Sequence, residues 1–405
     1  MQNCIILQSY LDRLMNNLKR ATNATKIIFL VCGLAVSSWA PMVPFVKDKL
    51  RINDGSLGLL LLFLGTGAII TMPFTGWLIH KTGTRVVIIV SSIVIAVSFP
   101  VVIWLNNWFE IAGMLFVFGS GIGSIDVAMN THGVHVQNMA GKPIMSSLHG
   151  LFSVGGLCGP IVVGVLIKAG LAPVIMAGVI STSLLVITLT QYRSLMDQNA
   201  ENDISAKFTN LTEAEGSKKF SLLNGAVLFL GVMCFVAFLS EGAVLDWSAV
   251  FLRDNKGVDK AMAGVGYASF SIAMATMRLF GDRIVSKIEG KHVVIYGSVI
   301  AFVGFMLVVF APWIFAVLIG FVLIGAGAAN IVPVFFTSAG RIKNVASSKA
   351  VSAIGSMGYA GQLAGPAILG FIAHHFSLPA ALFVTGLLLL SIGVAYQVKS
   401  IRNVQ

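Results

Sequence analysis

Twelve apolar runs of about 20 residues, spread along the whole chain, constrain this sequence more than any other feature. They fall at approximately 26–46, 56–79, 86–105, 109–131, 146–168, 172–192, 221–246, 261–281, 292–310, 314–337, 349–372 and 379–397. Each is long enough to cross a hydrocarbon core of about 30 Å. No water inside a bilayer can satisfy a bare peptide group, so such runs must be helices. The chain is 57% hydrophobic and 11% charged, against roughly 25% charged for soluble domains. It reads as an all-α membrane protein with twelve transmembrane helices.

The net charge of +11 would suit a nucleic-acid binder if it were spread evenly. It is not. With an even number of spans, 20 of the 27 Lys/Arg, Arg278 among them, fall on the side of the termini and seven fall opposite. The positive-inside rule then predicts a multi-pass protein of the cell inner membrane with both termini in the cytoplasm. The expected partners are the lipid bilayer, a small-molecule substrate and H+, with no nucleic acid and a monomeric state. Cys4, Cys32, Cys158 and Cys234 lack metal or redox spacing and read as free thiols. The first 20 residues do not read as a signal peptide, because "CIIL" is too short an apolar core.

Residues 193–220 form the one long polar stretch between spans and divide the chain. The expected organisation is a cytoplasmic tail at 1–25, a six-helix half at 26–192, the cytoplasmic linker at 193–220, a second half at 221–397 and a tail at 398–405. The halves resemble each other at a shift of 206 positions. Gly155, Gly159, Pro160 and Gly164 then meet Gly361, Gly365, Pro366 and Gly370, and Lys81, Gly119 and Thr131 meet Lys287, Gly325 and Thr337. Parallel six-span repeats are a transporter architecture.

The loop "GWLIHKTGTR" at 76–85 resembles the cytoplasmic signature of the major facilitator superfamily. Gly76, Lys81, Gly83 and Arg85 fit it, and His80 stands where the family has an Asp. "SSWA", "SLHGLFSVG" and "EGAVLDW" resemble the YbjJ-type inner-membrane permeases within it. More distantly, "DVAMN" at 126–130 is similar to the helix 4 pattern of fucose permease. The resemblance implies two six-helix pseudo-repeats, alternating access, and a substrate site between the halves near mid-membrane. It also implies a proton-coupling role for Asp126 and sugar contacts for His149 and Ser153.

The residues point the same way. Asp126 is the only ionisable residue between Ile111 and Thr131. A carboxylate at mid-bilayer costs at least ~2.5–3.5 kcal/mol, so it is expected to work. Asn130, one turn on, shares its face. In "SEGAVLDW" Glu241 and Asp246 are about 140° apart on a straight helix. Glu241 is assigned to the cavity as a second proton site and Asp246 to the rim; both could face the cavity only if the helix broke, which Gly242 would permit. Trp39 offers a ring face, and Asn330, Tyr359 and Gln362 are polar residues in otherwise apolar spans; all four are candidate substrate contacts. Pro160 and Pro366 are expected to bend their helices.

Together these readings give a secondary-active transporter, not an enzyme, that takes up a polar solute such as a sugar or polyol with protons. Efflux of an amphiphilic compound and a non-transporting ligand sensor are the alternatives. No cofactor or metal is expected: no "GxxxxGK[ST]" motif is present, so an ion gradient is the expected drive. "GSGIGS" at 119–124 lies inside an apolar helix and is not a dinucleotide loop.

Overall fold

In the computed structural model the described residues are 2–52, 54–209, 224–258, 264–342 and 345–402. Among them the secondary structure is helical. In chain order the helices are α1 (Gln2–Trp39), α2 (Met42–Leu50), α3 (Asp54–Thr82), α4 (Thr84–Trp104) and α5 (Trp108–Ala140). Next come α6 (Met145–Lys168), α7 (Pro173–Thr190), α8 (Gln198–Thr209), α9 (Gly225–Lys256) and α10 (Val265–Lys287). The last are α11 (Gly290–Phe310), α12 (Ile314–Ala328), α13 (Ile331–Ala339), α14 (Ser347–His375) and α15 (Leu378–Arg402). Ten segments of the described residues are long and apolar enough to cross a bilayer, with α12 and α13 counted as one. The expected spans at 261–281 and 349–372 correspond to α10, from Val265 with 23 residues, and α14 with 29; residues 261–263 lie outside the described residues. Polar side chains such as Arg278 and Asp282 make α10 less apolar, and Ser347, Ser348, Lys349, Gln362, His374 and His375 do the same for α14.

The chain forms two compact units. The first comprises Met1–Ile144, Val154–Lys219 and Gly340–Ser352. The second comprises Met145–Ser153, Phe220–Ala339 and Ala353–Gln405. Inside each unit, glycines let helix backbones approach closely. In the first, Gly123 of α5 sits against Ala68 of α3, where an added Cβ would lie 2.7 Å from the Ala68 Cα. In the second, Gly361 of α14 lies directly on the Phe235 backbone of α9.

Several expected boundaries move. The run at 26–46 is not one helix: α1 ends at Trp39 and α2 begins at Met42, after Pro41. The expected tail at 1–25 is continuous with α1 from Gln2. The run at 109–131 continues to Ala140 as α5, and every residue from Ile125 to Gln137 is buried. The run at 314–337 is interrupted at Ala329 and Asn330, between α12 and α13. Gly242 introduces no break: α9 runs unbroken from Gly225 to Lys256. The 193–220 linker, described as far as residue 209, contains α8. Pro160 and Pro366 lie inside continuous helices. Cys32, Cys158 and Cys234 are unbridged; Cys4 lies outside the residues whose side chains are described.

Candidate functional site

In the first unit, α5 carries Asp126 close to its middle, 18 residues after Trp108 and 14 before Ala140. Asp126 and Asn130 are both buried. One helical turn brings the Asn130 amide to the carboxylate: Nδ2 donates to Asp126 Oδ1 at 3.3 Å and to the Asp126 carbonyl at 2.9 Å. The Cys32 thiol on α1 lies within electrostatic reach. Among the described residues no Lys, Arg or His nitrogen forms an ion pair with Asp126. Trp39 is buried, with its ring 6.2 Å from that of Phe118.

In the second unit a different cluster forms around Arg278 of α10, which charge counting had placed among the cytoplasmic-side bases. It is buried instead. Its guanidinium makes three hydrogen bonds. Nε donates to the Ala329 carbonyl at 3.0 Å, Nη1 to Ser153 Oγ at 3.1 Å and Nη2 to Glu241 Oε1 at 3.0 Å. The first follows from local chemistry. In a continuous helix the Ala329 carbonyl would accept from the N–H of residue 333, but that residue is Pro333, which has none. The chain breaks there, and Arg278 supplies the missing donor.

Four sequence-predicted residues meet in this cluster or beside it. Glu241 faces Arg278, Ser153 accepts from it, and His149 stacks on Phe336 with ring centroids 5.7 Å apart. Asn330 sits in the helix break; its Nδ2 donates to the Met277 carbonyl at 3.4 Å, and its Oδ1 accepts nothing among the described residues. Tyr359 and Gln362 of α14 lie against α9, Tyr359 with its ring 5.9 Å from Phe238 and Gln362 beside Gly242. Because α9 is unbroken, Asp246 points away from Glu241 and is exposed. Sequence reasoning missed Arg278. The available signal was a cation within an apolar run, combined with a proline four residues past a helix-interior carbonyl.

The loop at 76–85 is reduced to one residue. Gly83, at φ +79°, is the only break between α3 and α4, a conformation that suits glycine. The segment after α7 packs on it. Gln198 Nε2 donates to the Lys81 and His80 carbonyls at 2.8 and 3.3 Å. The Arg85 guanidinium lies 4.5 Å from the Tyr192 ring centre. Gly76 leaves no room for a side chain beside Ser352, and Lys81 Nζ sits 4.1 Å over Trp77. Glu201 accepts from the Thr84 N–H and hydroxyl, so it caps the start of α4. Burial pushes Glu201 up from 4.5 to about 7. The Thr84 bonds and Arg85 pull it down, and Asp197 adds to the rise.

Long apolar helices in two units, with ionisable groups buried mid-helix, define a polytopic membrane transporter. The sequence profile of the Major Facilitator Superfamily matches residues 27–253 and 230–400. An uncharacterised MFS-type transporter of Yersinia pestis is 41% identical over 376 residues, covering 92% of this chain and 94% of the relative. The chain belongs to the Major Facilitator Superfamily. Its fold is similar to that of the proton:xylose symporter XylE, with a TM-score of 0.74 at 13% identity over 94% of this chain and 95% of that one. It is also similar to the E. coli fucose:proton symporter FucP, with a TM-score of 0.69 at 15% identity over 93% and 97%. At these identities the likeness is one of fold.

Proposed function

We propose that this transporter is a proton-coupled carrier that takes a polar solute, a sugar or polyol, into the cell by alternating access, with Asp126 carrying the proton. The observation behind this reading is a buried carboxylate that has an amide against it and no ion-pair partner among the described residues. A bare carboxylate is costly to occlude, and a proton removes that cost. With no cation opposite, taking up the proton strands no partner. The sugar:proton symporters of the same fold support the coupling. Glu241 is the second proton site in this reading. His149, Ser153, Asn330, Tyr359, Gln362, Asn130 and Trp39 are the proposed solute contacts, supplying donors, acceptors and a ring face. The segment from Gly76 through His80, Lys81, Gly83 and Arg85 is the proposed gating loop. We place the protein in the cell inner membrane as a monomer with cytoplasmic termini; a periplasm-only reporter fused at Gln405 should be inactive.

The test is Asp126→Asn in proteoliposomes. Exchange of solute down its own gradient should survive while accumulation driven by a pH gradient is lost. Accumulation at the parental rate would remove Asp126 from the coupling role.

A further inference from the structure

Arg278 is committed less fully than a purely structural arginine would be. An Arg–carboxylate pair closes best as a fork on a fork, two parallel N–H···O bonds at once. Here Glu241 offers one oxygen to one nitrogen. The guanidinium carries five N–H groups, and three are used, on Ala329, Ser153 and Glu241. Each of the two terminal nitrogens therefore keeps one N–H, the pair of donors that a second carboxylate needs for end-on bidentate binding. The surroundings are also not sealed. The Arg278 side chain is 8% exposed, but that of Glu241 is 23% exposed although it lies midway along α9. A carboxylate at that depth does not face hydrocarbon, so the open side is polar space.

The Nε bond to Ala329 and the Nη1 bond to Ser153 fix the guanidinium plane from two directions. A site held in this way is preorganised for a planar anion, and a point-charge ammonium would not replace it.

We propose that Arg278 is the docking point for a carboxylate on the transported solute, and that Glu241 is the stand-in that holds the guanidinium when no solute is bound. This rests on the transport reading above and narrows its solute class: the hydroxylated solutes that fit are those bearing a carboxylate, the oxidised relatives of sugars and polyols. Ser153 then acts as a positioning residue for the guanidinium. Asp126 takes no part in recognising the anion.

The experiment is equilibrium thermal unfolding of the purified full-length protein in detergent, with no pH gradient. The probes are matched pairs at equal ionic strength: gluconate and sorbitol, galacturonate and galactose, lactate and propane-1,2-diol, with chloride as the salt control. At least one carboxylate should raise the unfolding midpoint while its neutral partner does not. Arg278→Lys, which keeps the charge and loses the fork, should weaken that carboxylate about tenfold. Glu241→Gln should unfold earlier without additives and be stabilised more than the parent by the same carboxylate, since the anion replaces the missing partner. Neutral partners that stabilise as well as the acids, no response to any carboxylate, or an indifferent Glu241→Gln protein would each overturn the proposal. Asp126→Asn should keep the carboxylate response. Coupling that persists in Asp126→Asn with the carboxylate response retained would fail the proton reading alone, whereas coupling lost there with no carboxylate response in the parent would fail this one alone.

Discussion

Asp126 and Arg278 present the same problem in two units, and the surrounding residues solve it differently. Asp126 is a single buried carboxylate whose hydrogen-bond donor is a neutral amide on its own helix. Arg278 is a buried cation tied to three other segments, α9, the first turns of α6 and the α12–α13 break. Neutralising the first removes a charge and leaves no cation unpaired among the described residues. Neutralising either member of the second leaves a charge in a low-dielectric interior without its partner. Losing the charge at a group built like Asp126 breaks no ion pair among the described residues, whereas one built like Arg278 holds a geometry.

The sharpest break of this comparison lies in transport. Asp126→Asn should lower uphill solute accumulation by about 100-fold or more, because removing a proton-carrying group removes the step itself. Its unfolding midpoint should stay close to that of the parent. A large fall in stability would mean that Asp126 is structurally pinned like Arg278, and the contrast would fail.

Stability gives the next largest effect. Glu241→Gln and Arg278→Gln should each cost about 2–4 kcal/mol by leaving the partner charge unpaired. The double variant should be more stable than the sum of the two losses predicts, with a coupling of about 1–3 kcal/mol in a double-mutant cycle. Additive losses would make the pair incidental.

A smaller effect tests the carboxylate outside the spans. Glu201 is raised from 4.5 to about 7. Below 4.5 it is protonated both docked on α4 and undocked, and docking is at full strength. Between 4.5 and 7 only the docked form holds the proton, so docking weakens as pH rises, by about 1.4 kcal/mol per pH unit. Protease cleavage within 193–209 should therefore be up to about tenfold faster at pH 8 than at pH 6. Glu201→Gln should flatten that dependence; an unchanged pH profile would show that Glu201 does not govern docking.

The smallest effect is expected at Pro333. Pro333→Ala restores an N–H that competes with Arg278 for the Ala329 carbonyl. The unfolding midpoint should move by no more than about 1 kcal/mol equivalent. A loss as large as that of the Arg278 variants would show that the proline holds the break by itself.

Much of this was legible residue by residue. Asp126 and Asn130 share a face because they are four apart on one helix, and local periodicity alone decides that. Gly119 and Gly123, and Gly361 and Gly365, are four apart in apolar runs, a spacing that lets helices approach closely, and Gly123 does meet Ala68 and Gly361 Phe235. The partners of Arg278 were not legible from its own run. At the inner end of a span a cation reads as a flank, and its partners lie 125, 37 and 51 positions away. Gly242, where a break was permitted, leaves α9 whole. Glycine permits a break, but nothing in α9 requires one; at the α12–α13 interruption Pro333 removes a donor and Arg278 supplies another, whereas Pro160 and Pro366 sit inside continuous helices.

The sequence by itself determined that the chain is helical and crosses a membrane, because apolar run length and peptide desolvation leave no other solution. It also determined the doubling of the chain, through glycine and proline positions repeated at one offset, and the isolation of Asp126 within its run. The tertiary structure decided which buried charges have partners. It brought Glu241, Ser153 and the Ala329 carbonyl onto one guanidinium, and it set Glu201 on the first turn of α4. These contacts join residues far apart in the chain, so their energies depend on helix packing that no local pattern encodes.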